Sequence, residues 1–407
     1  MSNTQGALGK YSQISGARRT LMMVALCLST MCTMGDFVIV PITAKFYELF
    51  DEMVANLIAT GPALIGIVFC YIGGRLADKV NKKIQMVVGF AIFTFSGILG
   101  GLFVNSAYII LMRLLCTGVA WGLTCTAAMT IIAEMYVDET RRSKVIGWYN
   151  MVMSLMGAVL SLIAGNLALN GWQSAFKTYL IAIPVLIMLV LFLPNMAPAA
   201  AASEQKGTDS ASKGWLKPVI PLLILFVLSA LAGYIMSYLC ALYVTETGIG
   251  NEAFIGTLTT AATILSCLCN AAYGAIYGKL KAKTPIPCMV IIAVSFLLLF
   301  LFPVKTPVLI VNSIMGGAWG ILYSFFYTQI TIVVPEDVQG TAIGLLNVAN
   351  GVAGFAVSYY ISVLKFLLHT DSIRATFPLV AIIMAATTVG AVIYVAKYTA
   401  SKEKSTQ

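Results

Sequence analysis

The sequence predicts an all-α membrane protein, with twelve transmembrane helices arranged as two related six-helix bundles. Three observations carry this expectation. Of the 407 residues, 59% are hydrophobic and only 10% charged, with a mean hydropathy of +0.92, whereas soluble domains hold roughly 45–50% apolar and 25% charged residues. Twelve apolar runs of the length that crosses a ~30 Å hydrocarbon core as helix follow one another along the chain. The second half also repeats features of the first. A β-barrel would need strands of alternating polarity, and no such period appears.

In the first half the runs lie near 20–45, 53–75, 84–105, 106–134, 144–167 and 174–194. The first follows Arg18 and Arg19, exceeds the apolar core of a signal peptide and has no small-residue cleavage site close behind it, so it is expected to be retained. The longest polar gap, PNMAPAAAASEQKGTDSASKGWLKP, is rich in Ala, Ser, Gly and Lys and reads as a flexible linker. Beyond it the runs lie near 218–244, 253–278, 284–304, 306–334, 341–366 and 375–398. The expected organisation is a cytoplasmic tail at 1–19, a bundle at 20–195, a cytoplasmic linker at 196–217, a second bundle at 218–399 and a cytoplasmic tail at 400–407.

A net charge of +9 raises nucleic acid as a partner, but where the charges sit argues against it. With both termini inside, 19 Lys and Arg fall on the cytoplasmic side and five outside (Lys45, Lys177, Lys305, Lys365, Arg374), leaving Arg113 within a span. That asymmetry obeys the positive-inside rule of a cell-membrane protein, and the surplus faces anionic lipid head groups. All nine cysteines fall in predicted spans, and no spacing, Cys267/Cys269 included, suggests a disulfide framework or a metal site. No phosphate-cradling Gly-x-x-x-x-Gly-Lys-Ser/Thr occurs, which speaks against an ATP-driven pump. The one histidine, His369, lies in a predicted outer loop, so an intramembrane hydrolase is not expected either. The expected protein is a monomer without cofactor or metal and is not an enzyme.

At an offset near 200, GRLADKVNKK from Gly74 sits over GAIYGKLKAK from Gly274, and GVAWG from Gly118 over GGAWG from Gly316. Further on, IGWYN from Ile146 overlays IGLLN from Ile343, with Gly157 and Ser161 over Gly354 and Ser358. Three matches in one order argue for internal duplication, a design of membrane transporters. The pairs Gly118/Gly122 and Gly316/Gly320 allow close helix packing, and their helices can still line a cavity on other faces.

The loop GGRLADKVNKK resembles the signature Gly-x-x-x-Asp-Arg/Lys-x-Gly-Arg/Lys-Arg/Lys of the major facilitator superfamily. Gly74, Asp78, Lys79, Lys82 and Lys83 are in register, and Asn81 stands for the second glycine. In the second half, Gly274 and Lys279 remain but Gly278 replaces the acid. RLLCTGVAWG followed by AEMYVDETRR resembles that family's Arg-x-x-x-Gly, acid and Arg pattern through Gly118, Glu134 and Arg141, with Arg113 one residue too far upstream. One residue turns a helical position by about 100°. GWQSAF from Gly171 resembles the family's start of the sixth span, with Gln173 for Arg. The antiporters' Gly-Pro kink is absent from the fifth span, where Ser161 and Leu162 stand. The resemblance covers nearly the whole chain and implies the major facilitator fold, closest to its twelve-helix drug and metabolite efflux branch, with spans 1, 4, 7 and 10 lining a central cavity. It also implies that Gly74, Asp78, Lys79, Lys83, Glu134 and Arg141 latch the cytoplasmic side. Physically, Gly74 permits close packing while Asp78 can accept from a helix N-terminus. A solvated basic turn obeying positive-inside is the plainer alternative.

Asp36 and Arg113 are the acid and base deep in the spans, roughly 12 and 10 Å from their outer ends at about 1.5 Å per residue. A charge at the bilayer centre costs at least ~2.5–3.5 kcal/mol, so such residues are functional by default. Arginine keeps its proton, whereas a carboxyl can change state. Asp36 is expected to take a proton in one state and to pair with Arg113 or a cationic substrate in another; a permanent structural ion pair is the alternative. Trp319, Tyr323 and Tyr327 recur every four residues on span 10, as do Tyr234 and Tyr238 on span 7. Packing alone produces such stripes, but with Trp121, Asn347, Asn350 and Gln329 they would suit an apolar or aromatic substrate, and a cation could rest on the rings. The expected function is proton-coupled export of a small, fairly apolar organic molecule by alternating access. Uptake of a monocarboxylate, sugar or similar metabolite, with Arg113 holding the substrate's charge, is the alternative.

Overall fold

A computed structural model describes residues 16–136, 138–196 and 214–404. The predicted linker and N-terminal tail lie largely outside these residues, whereas the predicted C-terminal tail is described through Lys404, as the end of the last helix. Among the described residues there is no strand, and the chain is a succession of helices. In the first half these are α1 (Gly16–Leu28), α2 (Glu52–Lys79), α3 (Lys82–Leu99), α4 (Ser106–Met135), α5 (Glu139–Ala168) and α6 (Trp172–Phe192). In the second they are α7 (Leu216–Tyr238), α8 (Glu252–Leu280), α9 (Pro285–Leu301), α10 (Lys305–Val333), α11 (Gln339–Leu367) and α12 (Ile373–Lys404).

Ten of the twelve are long and apolar enough to cross a membrane, and the other two differ for local reasons. The first expected span is broken. After α1 the chain continues in short 3-10 turns, Ser29–Cys32, Gly35–Val38 and Val40–Ile42, and the axis bends by 60° between Gly16–Cys32 and Gly35–Ile42. Ser29 and Thr30 donate their hydroxyls back to the Leu26 and Cys27 carbonyls (2.7 and 2.6 Å), competing with the helical ladder, and Gly35 and Pro41 then weaken it further. Helix α9 has 17 residues, about 25 Å. Pro285 opens it, and Phe302, which precedes Pro303, leaves the helical region.

Asparagines start several helices in the usual way. The Asn81, Asn105 and Asn251 side chains accept from the Lys83, Tyr108 and Phe254 N–H groups at 3.0, 3.1 and 3.2 Å. Asn81 therefore has a capping task where the family signature has glycine.

The chain forms two compact units. The first holds the described residues of Met1–Asp138, Val152–Lys213 and Val334–Val348, and the second those of Glu139–Met151, Gly214–Val333 and Ala349–Gln407. Within the first unit, α2 and α4 touch backbone to backbone: a β-carbon on Gly122 would lie 2.3 Å from the Phe69 carbonyl carbon, and one on Gly73 would lie 2.4 Å from the Gly122 oxygen. The Gln85 amide ties three helices by donating to Gly73 O, Leu123 O and Thr126 Oγ1 at 2.8, 3.0 and 3.2 Å. Within the second unit, Gly316 and Gly320 of α10 close on Ala262 and Ser266 of α8. Large apolar side chains such as Leu162, Leu268, Ile382 and Val389 stand exposed on the outer helix faces, the surface a hydrocarbon solvent favours.

Candidate functional site

In the first unit, Asp36 lies in the 3-10 turn just after the break in the first span. Arg113 immediately precedes a π-helical turn, Leu114–Val119, in α4. The Arg113 Nη2 meets Asp36 Oδ1 at 2.5 Å, with the Arg113 side chain 1% exposed and that of Asp36 49% exposed. Arg113 Nε also donates to the Ile58 carbonyl of α2 at 3.4 Å, while Nη1 is buried with no hydrogen-bond partner. The π turn explains the spacing irregularity in the sequence. A turn closed from i to i+5 takes one residue more than an α turn, so five residues here bring Arg113 and Gly118 to nearly the relation that four would give in a regular helix.

In the second unit, α7, α10 and α11 bring six predicted residues together. The Tyr234 ring lies 5.5 Å from Tyr238 and 5.4 Å from Trp319, and its hydroxyl donates to Asn350 Oδ1. Trp319 and Tyr323 are 5.9 Å apart, Tyr323 and Tyr327 are 4.8 Å apart, and the last two hydroxyls share a hydrogen bond of 3.1 Å. Tyr238 is 62% exposed, whereas Tyr327 is buried. The indole of Trp319 rests on Gly233. Trp121 and Asn347 belong to the first unit instead: Trp121 lies over Gly66, and the buried Asn347 accepts from Cys125 Sγ at 3.7 Å. Gln329 is fully buried, with neither amide atom hydrogen-bonded.

A third set gathers at the end of the helices rich in Lys and Arg. Asp78, near the C-terminus of α2, accepts from Gly340 N (2.7 Å), Thr341 N (2.8 Å) and Thr341 Oγ1 (2.5 Å) in the first turn of α11. A carboxylate there satisfies orphan N–H groups and complements the helix dipole. Gly74 makes room for this contact, since a β-carbon on it would lie 2.5 Å from Gly340 O. Glu134 pairs with Lys82 at 2.9 Å, and Lys82 is wholly buried. Each of these two charges stands at the helix end its dipole disfavours, so each depends on the other. Lys79 is exposed and Lys83 half-buried.

Two basic residues outside the predicted set are engaged, each within its own unit: Lys82 in the first and Arg142 in the second. Arg141 is exposed, and the neighbouring Arg142 is the buried one, donating to Thr331 O at 2.9 Å and Thr331 Oγ1 at 3.1 Å. Helical phase holds the signal for this, because Arg142 lies four and seven residues before the buried Ile146 and Tyr149.

Residues 22–358 match the family model described as Major Facilitator Superfamily. Curated relatives resemble part of the chain. A methylenomycin A resistance protein of Bacillus subtilis is 32% identical over 28% of this chain and 24% of its own length. The multidrug resistance protein MdtL of Vibrio parahaemolyticus is 27% identical over 34% and 35%. The arabinose-proton symporter of Escherichia coli is 28% identical over 36% and 30%. The matched stretch thus spans about a quarter to a third of these relatives. Among solved structures, the human organic anion transporter MFSD10 (TETRAN) superposes with a TM-score of 0.76 at 14% identity, covering 93% of this chain and 100% of that one. The proton:xylose symporter XylE gives 0.74 at 13% identity, covering 94% and 97%.

Proposed function

The chain belongs to the major facilitator superfamily, and from that premise we propose that it is a secondary active transporter exporting a small, fairly apolar organic molecule by proton-coupled alternating access. Membership and fold make it a multi-pass membrane transporter. The observation that supports proton coupling is the Asp36–Arg113 pair. A carboxylate half-open to its surroundings is held against a buried guanidinium, and both sit at breaks in regular helix, the kind of turn that marks functional positions. Protonation of Asp36 removes its charge and releases it from Arg113, whose charge stays; this couples proton occupancy to the local backbone. The aromatic group on α7 and α10, with phenols and the Asn350 amide of α11 but no charge, suits an apolar ligand. The contact of Asp78 with the start of α11, with Gly74, Glu134 and the nearby basic residues, serves as the cytoplasmic latch. The Lys/Arg asymmetry supports a cytoplasmic side for both termini.

A second reading is uptake of a sugar or monocarboxylate. Its supports are the resemblance to a sugar-proton symporter and the absence of a Gly-Pro kink at Ser161 and Leu162. Everted vesicles with an imposed proton gradient separate the two, with ethidium and arabinose as probes. Export predicts gradient-driven ethidium accumulation that Asp36→Asn abolishes while energy-independent exchange persists. A folded Asp36→Asn protein that still accumulates substrate with the gradient would remove the carrier role.

A further inference from the structure

Three irregular segments meet beside Asp36. One is the 3-10 turn Gly35–Val38, the second is the π turn Leu114–Val119, and the third is a 3-10 stretch, Trp172–Ile181, that opens α6; the first touches both of the others. Non-α turns inside spans are costly and mark places where geometry is imposed for a purpose. What they clamp here is Gly35. A β-carbon at that residue would lie 2.7 Å from Thr117 Cγ2 of α4 and 2.8 Å from Phe93 Cε2 of α3, so the backbone is gripped from two sides. From the third side the hydroxyl of Tyr179 donates to the Gly35 carbonyl at 2.9 Å.

That carbonyl belongs to the peptide unit joining Gly35 to Asp36, so the bond fixes the plane from which the Asp36 side chain departs. Tyr179 is itself held firmly. It is 1% exposed, its ring fills the notch left by Gly97, and it stands edge-on to Phe93 at 5.3 Å and 78°. A phenol immobilised on α6 therefore reaches the one backbone group that aims the carboxylate.

We propose that Tyr179 is a positioning residue for Asp36, its hydroxyl holding the Gly35–Asp36 peptide so that the carboxylate stays on Arg113. Loss of the hydroxyl leaves the ring packing intact but frees this peptide, and Asp36 then spends more time away from the guanidinium, open to reagents that attack carboxyls. The ionisable groups around Asp36 are Arg113 and Cys116 on α4, Tyr179 on α6 and Cys32 on its own span. The functional consequence rests on Asp36 being the proton carrier, whereas the positioning itself does not.

Reaction with dicyclohexylcarbodiimide, which adds to protonated carboxyls in apolar surroundings, tests this without a known substrate. Membranes holding the full chain are treated at fixed neutral pH, and the Asp36 peptide is quantified by mass spectrometry, with Asp36→Asn as the blank. In Tyr179→Phe the label at Asp36 should appear on the order of 3- to 10-fold faster, the factor expected for one lost hydrogen bond. Tyr243→Phe loses a comparable buried bond, from its hydroxyl to Leu299 O at 2.8 Å, in the second unit, and should label at the parent rate. A parent-like rate in Tyr179→Phe, or equal acceleration in Tyr243→Phe, overturns the proposal. Should Tyr179→Phe fail to accumulate in membranes, Tyr179→Met, which also lacks the hydroxyl but keeps an apolar side chain, takes its place with the same two outcomes. If labelling accelerates while Asp36→Asn keeps gradient-driven accumulation, positioning stands and the carrier reading falls.

Discussion

Asp78 and Thr341 are joined twice: one carboxylate oxygen takes both the backbone N–H and the hydroxyl of Thr341, and the other takes the N–H of Gly340. The carboxylate thus serves as the N-cap of α11 from a residue more than 260 positions away in sequence. Asp78→Ala should cost about 1–2 kcal/mol, the usual price of a lost cap. It should appear as a fall of several degrees in the apparent Tm of the detergent-purified protein. Asp78→Asn keeps one acceptor and should lose less than half as much. An alanine variant as stable as the parent would mean that water replaces the cap without penalty.

Removing either partner of the Asp36–Arg113 pair should be worse than removing both. Asp36→Asn leaves a guanidinium buried without its counter-charge, which costs about 3–5 kcal/mol in comparable sites, and the lower end applies because Asp36 is half-exposed. In Asp36→Asn/Arg113→Gln no uncompensated charge remains, and at least half of the lost thermal stability should return. If the double variant loses the sum of the single losses, the two residues act independently and the ion pair contributes no coupling.

Much of this architecture was legible because the requirements of a bilayer are written in composition. Runs of apolar residues show where helices cross, and an acid or base inside such a run has to find a partner, which is why Asp36 and Arg113 could be picked out. Hydropathy says little about backbone geometry. Gly35 and Pro41 mark weak points in the run from Leu21 to Ile42 but not the 60° bend between Cys32 and Gly35, because 3-10 and α turns use the same apolar residues. The extra residue between Arg113 and Gly118 is visible as a fault in a pattern, but only the structure shows that a π turn absorbs it. Tyr179 was hidden for another reason. In an apolar run a tyrosine reads as bulk, and its hydroxyl meets a backbone carbonyl that leaves no mark in sequence. Lys82 and Arg142 sit among other basic residues, and only their burial sets them apart from their neighbours.

The glycines differ sharply in what they will tolerate. Gly122→Ala drives a β-carbon into the α2 backbone, 2.3 Å from Phe69 C and 2.5 Å from Cys70 N, and neither atom can swing aside. The overpacking should cost on the order of 1–3 kcal/mol and lower the Tm correspondingly. Gly256→Ala, in α8 with nothing within 4 Å, should leave stability unchanged or raise it by up to about 1 kcal/mol through helix propensity. Equal responses from the two would show that α2 and α4 separate freely and that their close approach is not a constraint.

The π turn makes the register of α4 adjustable in one direction only. Leu115 lies within Leu114–Val119 and is only half-buried. Its deletion would convert the turn to α while leaving both flanks nearly where they are, because i to i+4 closure needs one residue fewer than i to i+5. The deleted chain should fold, keep its Tm within a few degrees and retain the Arg113–Asp36 contact, with Arg113 and Gly118 now separated as in a regular Arg-x-x-x-Gly. An alanine inserted after Leu115 has no such slack to use. It rotates Arg113 by about 100° away from Asp36 and should destabilise the protein about as much as Asp36→Asn. Thermal unfolding of the two variants beside the parent distinguishes them at once. If deletion and insertion are equally damaging, the turn is not a register device, and the pairing of Arg113 with Asp36 needs another explanation.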